Sequence, residues 1–106
     1  MNSIKLRTER LGELTLVKIL IRHPMENGRN RDPINGALLP AHHISLLQIR
    51  HNGQLKINCR MGGSIAKNPL FSFHLPNLKS GDSLLVSWED NLMNTDNLDY
   101  RITEAD

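Results

Sequence analysis

A chain of 106 residues has room for one domain, which buries roughly 60–70% of the surface its unfolded form exposes and can hold a core without staples. Charged residues make up 23% and hydrophobic ones 39%, ordinary for a globular domain. The net charge of +2, with the basic residues scattered along the chain, is too small to imply a nucleic-acid-binding footprint.

Taken in chain order, scattered basic residues lead into Leu14–Ile21. There Val17, Ile19 and Ile21 share one face and Lys18 and Arg22 the other, the period-two signature of a half-buried strand. Lys18 interrupts the run, no small-residue cleavage site follows, and Arg22-His23 closes it, so it is neither a signal peptide nor a membrane span. By itself that predicts a cytoplasmic protein. From Pro24 to about His42 no strand periodicity is visible, and a loop of that length in a compact domain is usually functional or disordered. Pro24, Pro33 and Pro40 restrict its backbone and favour an ordered excursion open to a partner. Arg22, Arg29 and Arg31 are the densest basic group, read most simply as solvated.

Ile44–His51 is a strand whose phase changes between Leu46 and Leu47, which calls for a bulge or for two covered faces. Asn52-Gly53 is a strong hairpin signal, because both residues tolerate positive φ. It leads into Leu55–Met61, where Leu55, Ile57, Cys59 and Met61 are predicted to face the core. Gly62-Gly63 breaks the run, and Asn68-Pro69 starts a strand with Phe71, Phe73 and Leu75 on one face. Pro76-Asn77 and Ser80-Gly81-Asp82 precede a strand with Leu84, Val86 and Trp88 in phase. Asn94-Thr95-Asp96-Asn97 reads as a turn before Leu98, Tyr100 and Ile102. No segment carries a sustained 3.6-residue period. The prediction is a single all-β domain over residues 1–106, an immunoglobulin-like β-sandwich of about seven strands with one long loop at about 24–42.

Candidate chemistry is sparse. Cys59 cannot form an internal disulfide, and a thiol facing the core stays protonated and is a poor nucleophile. The chain ends Glu104-Ala105-Asp106, without a glycine-flanked cysteine that could serve as a carrier arm. His23, His42, His43, His51 and His74 form no spaced metal-binding pair, and on a strand His42 and His43 would point to opposite faces. His23 with Met25, joined by His42 or His43, could offer the nitrogen and soft sulfur that suit copper. That makes a metal-handling protein one alternative, although two ligands alone are no site. A sandwich that self-associates through a sheet edge is the other. The serines lack a Gly-x-Ser-x-Gly setting, and Glu26 and Glu89-Asp90 read as loop or strand-end carboxylates without an apolar environment to tune them.

Three blocks carry a family likeness. They are His23-Pro24-Met25-Glu26-Asn27-Gly28 after a strand, Ser64-Ile65-Ala66-Lys67-Asn68-Pro69 before Phe71-x-Phe73, and Gly81-Asp82 leading to Trp88-Glu89-Asp90-Asn91. Their ordered set, spread over residues 15 to 91, resembles the SoxZ family, the non-catalytic half of the SoxYZ sulfur carrier of thiosulfate oxidation. The resemblance implies the same sandwich fold, no catalytic residues, no cofactor and no bound metal. It implies a heterodimer with SoxY, whose tail cysteine carries sulfur among the other Sox enzymes, with self-pairing when SoxY is absent. It implies neither nucleic acid nor membrane as a partner, and a periplasmic location reached by co-export with SoxY. The signature positions it assigns to partner binding are His23, Pro24, Met25, Glu26, Asn27, Asn68, Trp88 and Asn91. Against the family pattern, Asn27 stands where Thr or Ser is usual, and a glycine-containing turn after Asn91 is replaced by Leu92-Met93-Asn94.

Overall fold

The computed structural model describes residues 3–103, so the C-terminal Glu104-Ala105-Asp106 lies outside the described residues. Seven strands follow one another: β1 (Ile4–Leu11), β2 (Leu14–Ile21), β3 (Ile44–His51), β4 (Gln54–Arg60), β5 (Leu70–Pro76), β6 (Ser83–Asp90) and β7 (Thr95–Arg101). They form a three-stranded sheet in the order β1-β2-β5 and a four-stranded sheet in the order β4-β3-β6-β7, with every pairing antiparallel. No helix occurs among the described residues, as the missing 3.6 period predicts.

The inward-facing residues close one core. Ile4, Val17, Ile19 and Ile21 from the smaller sheet pack against Ile44, Leu47, Ile49, Leu84, Val86 and Trp88 from the larger. In β3 the buried positions run Ile44, Leu47, Ile49, so the phase does change, and the register with β6 slips between Ile44 and Leu46. A bulge is the reason: one extra residue returns the strand to the same face. Asn52 and Gly53 sit at φ of 50° and 85°, the positive pair of a tight hairpin turn between β3 and β4.

Two expectations about strands are corrected. β1 was not anticipated, because its inward positions are Ile4, Leu6, Thr8 and Arg10, half of them polar. Arg10 turns its guanidinium to donate to the Leu78 carbonyl at 2.6 Å. The segment Asn94-Thr95-Asp96-Asn97 is not a turn, since β7 already begins at Thr95. The reversal sits one step earlier, where the Asp90 amide donates to the Asn94 carbonyl at 2.9 Å. Met93 there takes φ of 66°, at the place where a glycine would be at ease.

The two long sides of the sandwich differ. On one side β1 and β7 approach each other, stitched by Ser3 donating through N and Oγ to Asp96 at 2.7 Å and by Thr8 and Tyr100 hydroxyls 3.5 Å apart. On the other side the edges β4 and β5 have no Cα atoms within 8 Å of each other. No hydrogen bond joins those two strands among the described residues. There Ile57, Cys59, Phe71 and Phe73 are only half-buried and Leu55 is exposed. A recess of about 180 Å³ opens at one end of this gap, lined by His51, Gln54, Lys56 and Leu75 to Leu78.

Cys59 is therefore corrected too. Its side is the inward one, but on an edge strand over an open flank the thiol is half-buried rather than enclosed.

The long loop is an ordered arm. It closes on itself twice, at Glu26–His42 and at Arg31–Leu38. Glu26 and His42 exchange backbone hydrogen bonds, and further out the Asp32 amide donates to Ala37 O at 2.8 Å and the Leu39 amide to Asn30 O at 2.8 Å. Asp32 caps the tip by accepting from the Ile34 amide at 2.7 Å, which leaves the Ile34 side chain 94% exposed. The molecule is 51 Å long and 22 Å across. An eight-residue strand spans only about 27 Å, so the arm projects well beyond the sandwich.

Candidate functional site

The base of the arm is where the family-like residues converge. β2 delivers His23 directly after its last buried residue, Ile21, and His23 is itself only 3% exposed. Asn68, at φ of 52°, holds it from outside: the His23 amide donates to Asn68 Oδ1 at 3.0 Å and the Asn68 amide donates to the His23 carbonyl at 2.9 Å. The ring lies edge-on to Trp88, with centroids 5.3 Å apart, and edge-on to His42 at 4.6 Å. Below it stands Asp90, 2% exposed, at the end of β6.

Asp90 is fully engaged. Its Oδ1 accepts from the Leu92 amide at 3.0 Å and the Asn94 amide at 2.8 Å. Its Oδ2 accepts from His23 Nε2 at 3.0 Å, His42 Nε2 at 2.8 Å and Asn94 Nδ2 at 3.1 Å. Burial pushes the carboxyl pKa up, but the hydrogen bonds from His23, Asn94 and His42 outweigh it and hold the group well below the usual carboxylate range. Asp90 is thus a buried anion, not the solvated strand-end carboxylate that the sequence reading made of it.

The protonation of His23 follows from its neighbours. The Met25 amide donates to His23 Nδ1 at 3.0 Å, so Nδ1 has to be the acceptor nitrogen. The ring proton then sits on Nε2 and points at Asp90. A second proton on Nδ1 would face the Met25 N–H donor to donor. Burial lowers the pKa of His23, the bond to Asp90 opposes that lowering, and the neighbouring His42 adds to it. His23 is a neutral hydrogen-bond bridge.

His23, His42 and Asp90 bring three ligand atoms within 4.8 Å of one another, a grouping that could hold a metal ion. The hydrogen-bond pattern weighs against that use. An ion at His23 Nε2 would drive the ring proton to Nδ1, against the Met25 amide. Met25, the soft ligand of the copper reading, is buried with its Sδ accepting from the Ile44 amide at 3.3 Å. The cluster acts chemically as a latch: it fixes the root of the arm to the end of the sandwich.

The neighbouring signature residues complete the latch. Asn91 staples the returning limb of the arm, accepting from the His43 amide at 2.8 Å and donating to the Ala41 carbonyl at 2.9 Å. Asn27 Oδ1 accepts from the Arg29 amide at 2.8 Å, and its backbone lies so near Gly63 that a Cβ there would sit 3.1 Å from the Asn27 Cα. Glu26 binds Asn30 Nδ2 at 2.7 Å, and Pro24 is exposed on the arm's outgoing limb.

A profile of the family described as sulphur oxidation protein SoxZ matches residues 4–100. The chain belongs to that family. Membership places it in sulfur oxidation. No curated protein matches the chain. On a SoxZ chain, then, the structure gathers His23, Met25, Asn68, Trp88 and Asn91 at one end of the sandwich, while Pro24, Glu26 and Asn27 lead from that end into the arm. His42, joined to His23 by sequence only in the copper alternative, and Asp90, read from sequence as a loop or strand-end carboxylate, belong to the same cluster. Asp90 lies 67 residues from His23, and no spacing rule joins them. A signal was present nonetheless: Asp90 shares the phase of Leu84, Val86 and Trp88, which points it inward.

Proposed function

We propose that this chain is the scaffold subunit of a SoxYZ sulfur carrier, pairing with a SoxY subunit whose tail cysteine holds the sulfur. The open side between β4 and β5 carries the reading. A standard interface covers roughly 800 Å² on each partner around an apolar centre. The half-buried Ile57, Cys59, Phe71 and Phe73 beside exposed Leu55 supply the apolar centre such an interface needs. The chain's own residues act by shape: the core supports the open flank and the latch holds the arm.

The groups of the latch and the lone thiol support a non-catalytic role. The neutral His23 and the saturated Asp90 are locked in the latch, and the Cys59 Sγ lies 4.0 Å from its neighbour's carbonyl on an edge strand rather than on a mobile tail. A periplasmic site of action, reached by export together with SoxY, follows from the same reading.

The test is co-expression with SoxY. A stable one-to-one complex is expected, and a Cys59→Ser chain should pair and support sulfur loading on SoxY equally well. Failure to form the complex, or loss of loading in Cys59→Ser with the complex intact, contradicts the proposal.

A further inference from the structure

The outer face of the three-stranded sheet points to a second contact. Lys5, Arg7 and Lys18 are exposed on β1 and β2, and Arg22 follows just beyond β2. Glu9 is the one acidic residue on the outward positions of these strands. Among the described residues none of these four cations has an ion-pair partner. Arg7 and Lys18 stand directly opposite each other in the β1–β2 register. Like charges in that arrangement destabilise a sheet, so the fold alone gives no reason for them.

Apolar side chains floor the same face. Leu20 is paired with Lys5 on one side and with Leu70, 63% exposed, on the other. Two recesses repeat one pattern. The first, of about 270 Å³, is lined by Arg7, Thr8, Glu9, Leu16 and Lys18. The second, of about 130 Å³, is lined by Ser3, Lys5, Leu20, Arg22 and Asn68. Each joins two cations to a leucine, and the first also holds the Glu9 carboxylate. Their leucines, Leu16 and Leu20, stand four positions apart on β2, which is about 13 Å along the strand.

We infer that this face docks an acidic, partly apolar surface of an enzyme that acts on the carrier, with carboxylates entering the two recesses about 13 Å apart. The inference rests on the carrier reading, and it uses a face different from the β4–β5 flank assigned to SoxY. The occupant is identified by charge complementarity. Lys5, Arg7, Lys18 and Arg22 against the single carboxylate of Glu9 leave the face positive and select carboxylates, and Leu16 and Leu20 select a partner with apolar side chains in the same patch. The second recess touches Asn68, so the docking face adjoins the latch at the root of the arm.

The experiment uses the SoxY complex of this chain, carrying Arg7→Glu or Arg7→Glu with Lys18→Glu, and purified sulfur-oxidation enzymes. Arg7→Glu alone converts a repulsive cross-strand pair into an attractive one, so the fold should tolerate or gain from it. The expected result is unchanged pairing with SoxY, a KM for the carrier raised about tenfold for at least one enzyme with kcat retained, and a difference that shrinks as salt is added. Unchanged KM with pairing intact overturns the inference and leaves the carrier reading standing. Loss of SoxY pairing in the variants also overturns it, because the face would then be the SoxY seat. Charge-dependent binding to phosphatidylserine vesicles or duplex DNA, with no effect on any enzyme, overturns it as well. Failure of the unaltered chain to pair with SoxY sinks the carrier reading instead.

Discussion

The latch and the open flank are opposites. At the root of the arm, a carboxylate and two imidazoles, the residues best equipped for chemistry, are spent on holding backbone in place. Along β4 and β5 the inward-facing residues are apolar apart from the Cys59 thiol, yet all but Leu75 are left half-buried or exposed. Buried polar groups that are fully satisfied specify one arrangement. Apolar groups left uncovered in an otherwise closed core await another surface. In this molecule the chemical-looking site is architecture, and the plain flank is the candidate for function.

Substitutions can break that contrast, and the largest effect is expected at Asp90. Asp90→Asn keeps the shape but places an NH₂ among donors, which should cost about 3–5 kcal/mol in chemical denaturation. A small loss there would mean that the carboxylate is not the keystone of the latch.

Acid tests the same site. His23 has its pKa lowered on folding, so the unfolded chain takes up a proton more readily. Stability from this group is complete above its unfolded value of about 6.5 and falls as pH drops from there toward the lower folded value. Asp90, also lowered, adds a second loss below about pH 4. Unfolding free energies measured between pH 8 and pH 3 should decline in those two stages. A rise between pH 7 and pH 5 would show His23 to be charged in the fold.

On the flank the signs reverse. Leu55→Glu alters an exposed edge position and should shift stability by less than about 1 kcal/mol. It should still weaken SoxY binding by about tenfold, near 1.4 kcal/mol. An isothermal titration showing unchanged affinity would remove Leu55 from the interface.

The smallest effects sharpen the picture within the fold. Thr15 is buried with Oγ1 lacking a partner, so Thr15→Val should be neutral or stabilise by up to about 1 kcal/mol. Met93→Gly should stabilise by a similar amount, because it relieves the left-handed backbone of the turn between β6 and β7. Thermal melts of the two variants read these directly.

How much of this is legible in the sequence depends on the residue. Strict alternation marked β2, β4, β5 and β6, and Asn52-Gly53 marked its hairpin, because burial on one face and positive φ leave direct traces in sequence. β1 left little trace, since Thr8 and Arg10 occupy inward positions and find polar partners across the sandwich. The latch was half visible. His23, Asn68, Trp88 and Asn91 stood out as family-like, while His42 and Asp90 join them only through the fold. The cationic face was hidden for the same reason: charges scattered along β1 and β2 become neighbours when the hairpin forms.

The most direct trial of the central claim is amide hydrogen exchange on the chain alone and with SoxY added. The account requires new protection along β4 and β5, residues 54–60 and 70–76, with the already protected latch around His23 and Asp90 unchanged. Protection that left both edge strands as they were and fell instead on the latch would contradict it.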